Sequence, residues 1–347
     1  MKRMLLPDLI RSSATIFVIL IHAIGVSFTE LSRTSFSNQI AVLLLHTLSK
    51  SAVPIFVLLS GSLILSKFRG REIVDYKKSL LNRIIPALVI WSAIYYIGAN
   101  LINGSVMTIP DFITRFLLLR ISPHLYFLFI IAGLYLLAPA LYKVTASLSA
   151  QKSFYLLLTF FLLTHLLTRS VYLGPIPINY WTSLTIFLPF IGYFYAGNVI
   201  SLHRHRLPKI KWLVATVLSL LLIITALKYY AIDNHSDTLF SYFSDALHGL
   251  NVMLSVSLFS LFYTHYDYVE RAVSSFGKRS IQSIAKVSFG VYLIHPIVQY
   301  AISTQPFVRF YYNNIFVILI SSTVVLTVSA FFAAAPIFLE SIKTRLI

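Results

Sequence analysis

The sequence predicts an all-α, polytopic helical membrane protein with about ten transmembrane helices and both termini in the cytoplasm. Three observations predict it. The 347 residues are 58% hydrophobic and 11% charged, with a mean hydropathy of +0.82, whereas a soluble domain is nearer half apolar and a quarter charged. The apolar residues gather into runs of roughly the 20 residues a helix needs to cross a bilayer core. The basic residues crowd into short loops at one set of ends of those runs, so the net charge of +17 reads as an orientation signal rather than a nucleic-acid surface. Cysteine is absent, which excludes disulfides, thiolate metal sites and a thiol nucleophile.

The spans are expected near residues 9–28, 39–66, 84–103, 124–142, 153–169, 181–202, 212–230, 242–264, 287–304 and 315–339. The first is too apolar for too long to be a signal-peptide core, and no small-x-small cleavage site follows it. It is therefore expected to stay as a helix. The second is long and holds Lys50 and Pro54, so a kink or break is expected there. The fifth is short. Of the 28 lysines and arginines, 21 lie at one set of ends, from Lys2, Arg3 and Arg11 to Lys343 and Arg345. Six lie at the other: Arg33, Arg115, Arg120, Arg169, Lys228 and Arg309. The bias places both termini inside and supports an even number of spans. Residues 1–347 read as a single integral membrane domain, with no soluble domain and no linker. No clear internal repeat is visible, which disfavours an inverted-repeat transporter.

Ionisable groups inside a span cost about 2.5–3.5 kcal/mol each at mid-helix, which makes them functional suspects. The first span reads DLIRSSATIFVILIHAIG, residues 8–25. Eleven residues separate Arg11 from His22, roughly 1100° of helix, so both side chains share one face about 16–17 Å apart along the axis. That is the reach of an extended pantetheine arm: a cytoplasmic cation for the phosphates of coenzyme A, then an imidazole where the thioester arrives. Asp8, three residues before Arg11, can brace the guanidinium. The competing readings are a snorkelling anchor for Arg11 and a helix–helix hydrogen bond for His22.

Lys50 lies toward the outer half of the second span and lines a cavity or belongs to a buried ion pair. Ser60 and Gly61, near its inner end, allow close backbone approach, in a supporting role at the site or, more commonly, for helix packing. The following loop carries Lys77, Lys78 and Arg83 among its basic residues, which suit a polyphosphate carrier or simply orient the chain. His124 opens the fourth span, in a functional or a capping role. His295 sits mid-span before Pro296, where a kink hydrogen bond is the alternative. The loop HRHRLPKIK, residues 203–211, lacks carboxylates, and its cations repel a metal, so no metal site is expected.

In order along residues 8–296, these stretches resemble the acyltransferase-3 family of integral membrane O-acyltransferases. The family's opening D-x-L-R…H helix appears as DLIRSSATIFVILIH, and its VPLFF-x-x-SGY as VPIFVLLSGSL. R-(I/L)-x-P…W-x-x-x-Y appears as RIIPALVIWSAIY, HLWFL…YL-x-x-P as HLYFLFIIAGLYLLAP, and S-x-G-I-Y-x-x-H as SFGVYLIHP. The resemblance implies transfer of an acyl group, usually acetyl, from cytoplasmic acetyl-CoA or another acyl-CoA. The acceptor is a hydroxyl of a cell-surface or lipid-linked glycan, and the setting is a bacterial inner membrane.

It implies His22 as the catalytic residue, Arg11 on the donor side, and Arg83 as the second arginine of the family's R-x-x-R motif. Leu80 stands where the first would be, with Lys77 and Lys78 close by; Tyr126 replaces a tryptophan. Absence of an extracytoplasmic domain after the last span implies a single-layer transfer or a separate extracytoplasmic partner protein. Lys50 or His124 would orient the acceptor or stabilise an oxyanion. The rival class is a polysaccharide or lipid-linked-sugar transporter or flippase, which also needs polar groups within spans.

Overall fold

The computed structural model of the chain describes residues 5–25, 28–68, 80–174, 182–305, 308 and 314–343. Among these residues the regular structure is helical, and nine helical stretches are long and apolar enough to cross a membrane. The chain is a multi-pass, all-α membrane protein. The helices are α1 (Leu5–Gly25), α2 (Phe36–Ser49), α3 (Ala52–Lys67), α4 (Ile85–Asn103), α5 (Ile109–Leu117), α6 (Tyr126–Thr145) and α7 (Ala150–Leu173). They continue as α8 (Ile191–Leu202), α9 (Ile210–Asp233), α10 (Asp237–Ser244), α11 (Gly249–Ala272), α12 (Ser275–Ser303) and α13 (Ile315–Lys343).

Most differences from the expected spans have local causes. The second span is broken as expected: α2 ends at Ser49 and α3 starts at Ala52, because Pro54 has no N–H to give the carbonyl of Lys50. The sixth span, expected over 181–202, is shorter. Residues 183–187 form turns, and the helical part runs Leu188–Leu202. Pro189 explains this, since proline fits the first turn of a helix and not its interior. The eighth is interrupted between α10 and α11, where Asp245 Oδ1 accepts the Leu247 N–H at 2.8 Å and Asn251 donates to the carbonyls of Phe243 and Asp245. The ninth begins twelve residues earlier than 287, at Ser275, where Ser274 caps the Gly277 N–H. The fifth is a full-length helix, Ala150–Leu173, with Ser149 as its cap. A short helix, α5, also lies in the loop after α4, where no element was expected.

Two compact units are distinguished, and each is described by itself: residues 57–203, and residues 1–56 together with 204–347. In the split-sequence unit α1 packs against α12, α13, α2 and α11, while α9 packs against α2, α10 and α11. Ile19 of α1 is buried with Val291 and Val298 of α12 and Val325 of α13. Ala23 and Ile24 are buried with Val42 and Leu43 of α2 and Ile318 of α13. Val217, Leu220 and Ile224 of α9 close on Leu254 of α11. The Ser12 hydroxyl donates to the Ile281 carbonyl at 2.8 Å, a polar tie from α1 to α12.

In the contiguous unit α3 and α8 approach backbone to backbone. A Cβ added to Gly61 would collide with the Phe194 carbonyl, and one added to Gly197 with the Leu58 carbonyl. The Tyr195 hydroxyl donates to Ser153 at 2.8 Å, tying α8 to α7.

Candidate active site

α1 runs unbroken from Leu5 to Gly25, so the shared face of Arg11 and His22 follows directly from its regular turn. At the basic end of this face the Arg11 guanidinium lies 3.6 Å from the Asp8 carboxylate. Asp8 is almost fully buried and Arg11 about one-third exposed, so the carboxylate is held by the protein while part of the cation meets the surroundings.

Three turns on, the His22 imidazole meets that of His295 on α12. Their ring centroids are 5.0 Å apart and their planes tilt by 49°. His295 is fully buried, with Nδ1 2.7 Å from the Tyr292 carbonyl and 3.1 Å from that of Val291. A carbonyl only accepts, so Nδ1 carries the proton and a neutral ring keeps its lone pair on Nε2. The expected kink hydrogen bond is therefore present, on the nitrogen that leaves the other one basic. The same side chain serves the backbone before Pro296 and sits against His22.

Lys50 is the link to a second polar group in the same unit. It lies within electrostatic reach of His22 and His46, and Asp245 is the carboxylate that acts on it. One face of α2 also carries His46 and Thr47, four and three residues before Lys50. Lys228 of α9 reaches across to both: Nζ is 3.2 Å from His46 Nδ1 and 3.1 Å from Thr47 Oγ1. Lys228 is wholly buried. This corrects the expectation that it is an orientation charge at the outer ends. α9 continues to Asp233, which puts Lys228 more than a turn inside the helix and reduces the outer set of basic residues to five. The signals for this cluster were the apolar run resuming after Lys228 and the i,i+4 spacing of His46 and Lys50.

The other expected site residues lie elsewhere. Arg83, in a π-helical turn before α4, is exposed and belongs to the contiguous unit. So does His124, buried in a single turn ahead of α6. Its Nδ1 is 2.9 Å from Ser122 Oγ and its ring stands edge-on to Tyr95 at 4.7 Å. Ser60 is partly buried on α3, and the collision at Gly61 assigns that glycine to helix packing. Lys77 and Lys78 lie outside the described residues.

An imidazole pair, one nearby ammonium and a braced guanidinium about three turns away make a set that can hold an anion at one end and move a proton at the other. A family model described as an acyltransferase domain, that of the acyltransferase-3 family, matches residues 6–337. No curated protein and no solved structure gives a significant match.

Proposed function

The chain belongs to the acyltransferase-3 family and is a membrane acyltransferase, and we propose that it carries an acetyl group from cytoplasmic acetyl-CoA to a hydroxyl of a cell-surface or lipid-linked glycan in a bacterial inner membrane. The observation that supports this most is the α1 face: Arg11 braced by Asp8 at one end, and His22 against His295 about 16–17 Å further along, the span of a pantetheine arm.

In this reading the phosphates of coenzyme A meet Arg11, with Arg83, Lys77 and Lys78 as further basic groups for the donor. His22 takes the proton of the acceptor hydroxyl as its oxygen attacks the thioester carbonyl. The carbon–sulfur bond breaks and the thiolate leaves with coenzyme A. The same atoms also allow His22 to attack first, giving an acyl-imidazole that the hydroxyl then resolves. Lys50 supplies positive charge where the carbonyl oxygen becomes anionic, His124 is a further acceptor-side candidate, and His295 positions His22. A separate extracytoplasmic protein is the proposed partner wherever the acceptor lies beyond the membrane.

The test is incubation of the purified protein with acetyl-labelled acetyl-CoA, with and without membrane glycan. Labelled glycan, or labelled protein that loses its label to glycan, is the expected result. Glycan crossing liposomes with no acetyl-CoA present, and no label transfer when it is added, overturns the reading.

A further inference from the structure

We infer that Lys228 and Lys50 frame an anion-binding site in the split-sequence unit, built for a carboxylate or phosphate group on the acceptor. The inference deepens the proposed function and rests on its glycan acceptor.

Lys228 Nζ spends two of its three N–H donors on neutral groups, His46 Nδ1 and Thr47 Oγ1, which leaves one donor for something else. Lys50 follows Thr47 by three residues and His46 by four. The Lys50 N–H still bonds the His46 carbonyl and its backbone is right-handed helical, so its side chain emerges on the face Lys228 approaches. A buried ammonium group, Lys228, and a partly buried one, Lys50, thus converge on one stripe of α2, within electrostatic reach of each other. Neither forms an ion pair among the described residues. Asp245 acts on Lys50 from a distance, and its Oδ1 is already committed to the Leu247 N–H.

Like charges in a low-dielectric interior repel strongly, and each carries its own desolvation cost. An oxyanion between them offsets both. A further donor is close by: the hydroxyl of Ser51, one turn beyond Thr47, is fully buried and makes no hydrogen bond among the described residues.

A pocket lies close to the pair, beyond the Phe240 ring. An open pocket of about 340 Å³ is lined by Ala231 and Ile232, by Ser32, His235 and Asp237, and by Phe240. Ala231 and Ile232 follow Lys228 by three and four residues on α9, so the pocket sits one helical turn above the ammonium. Phe240 stacks on His46 at 5.8 Å with a 20° tilt, and its ring separates the pocket from the cation pair. Asp237 at the rim is exposed, so water and salt screen it. The selective charge is the buried one.

The test uses the full chain in uncharged detergent and reads thermal unfolding in sodium phosphate, sodium glucuronate and sodium chloride at equal ionic strength. The wild type is expected to gain several degrees in phosphate or glucuronate over chloride, saturating with concentration. Lys228→Met keeps the length and volume of the side chain without its charge. It is expected to fold, with no anion-dependent gain. If it does not fold, Thr47→Val and Lys50→Met carry the comparison.

An unchanged wild type, or an equal gain in the variants, overturns the site and shows Lys228 to be a strut between α2 and α9. Stabilisation by phosphatidylglycerol nanodiscs over phosphatidylcholine, lost in Lys228→Met and with no effect of soluble anions, assigns the site to a lipid headgroup and overturns the acceptor assignment. The activity reading fails separately. Anion binding without acetyl transfer overturns the proposed function alone, and acetyl transfer without anion binding overturns the site alone.

Discussion

His22 and His295 meet across the α1–α12 contact with 5.0 Å between their ring centroids, and the two are not equivalent. His295 has its Nδ1 tied to the Tyr292 carbonyl at 2.7 Å, so its orientation is set by the helix it sits on. Among the described residues His22 has no such backbone tie, and it stands against a ring that cannot turn without losing a hydrogen bond. That asymmetry suits one imidazole that reacts and one that holds it in place. His22→Ala is expected to lower acetyl transfer by about 10²–10⁴-fold, the usual share of a general base, with insertion and thermal unfolding close to wild type. His295→Asn is expected to lower kcat with little change in the KM for acetyl-CoA and to displace the pH profile of kcat/KM, because it acts through His22. A merely structural His295 would lower Tm and leave that profile in place.

Arg11 and Asp8 predict a different kinetic signature. The carboxylate is almost fully buried and the guanidinium one-third exposed, at 3.6 Å, so Asp8 sets where the cation can point. Arg11→Ala is expected to raise the KM for acetyl-CoA at least tenfold with a smaller effect on kcat. Asp8→Asn keeps the shape of the side chain and releases the cation, and a rise of several-fold in the same KM is expected. Steady-state kinetics with varied acetyl-CoA checks both. Unchanged KM values in the two variants would remove this end of α1 from donor binding.

How far the site was legible follows from which physics each residue obeys. Arg11, Asp8 and His22 lie on one helix, and a regular helix fixes their relation from sequence spacing alone. Lys50 stood out as a cation within an apolar run. Lys228 reads as an outer-end charge because only four apolar residues follow it before Asp233, too short a run for hydropathy to separate a loop lysine from one a turn inside. What decides its burial is the approach of α9 to α2, and tertiary packing leaves no periodic trace. His46 stayed hidden because its partner is 182 residues away. The shortened helix after Pro189 was readable from the proline itself. The helix α5 is not legible because nine residues are too few to register as a span.

Gly61 gives a prediction about packing. A Cβ there would collide with the Phe194 carbonyl, and one at Gly197 with the Leu58 carbonyl. The obstacle is backbone in both cases, so no rotamer change relieves it and α3 and α8 would have to separate. Gly61→Ala is expected to destabilise by about 1–3 kcal/mol or more, and Gly61→Val to prevent stable folding. Thermal unfolding in detergent checks the pair. A Gly61→Ala variant as stable as wild type would show that α3 and α8 can separate here without cost, and would remove this close approach from the packing of the unit.

Acid stability offers a test outside the spans. In α5 the Asp111 carboxylate receives Arg115 Nε at 2.9 Å and the Tyr96 hydroxyl at 2.9 Å, while the Arg115 guanidinium lies over the Tyr96 ring at 5.9 Å. The hydrogen bond from Arg115, then that from Tyr96, hold the Asp111 carboxyl below its ordinary value of 3.8. A carboxylate whose folded-state value is lowered binds protons more weakly when folded than when unfolded. Its stabilising contribution is therefore present in full above the ordinary value and is lost as pH falls through and below it. Asp111→Asn is expected to unfold slightly below the wild type in temperature at pH 6, and the gap is expected to close between pH 4 and pH 2. The site is open to water, so the gap is small and shrinks with added salt. A gap that persists undiminished at pH 2 would mean that the side chain's shape, and not its charge, ties α5 to α4.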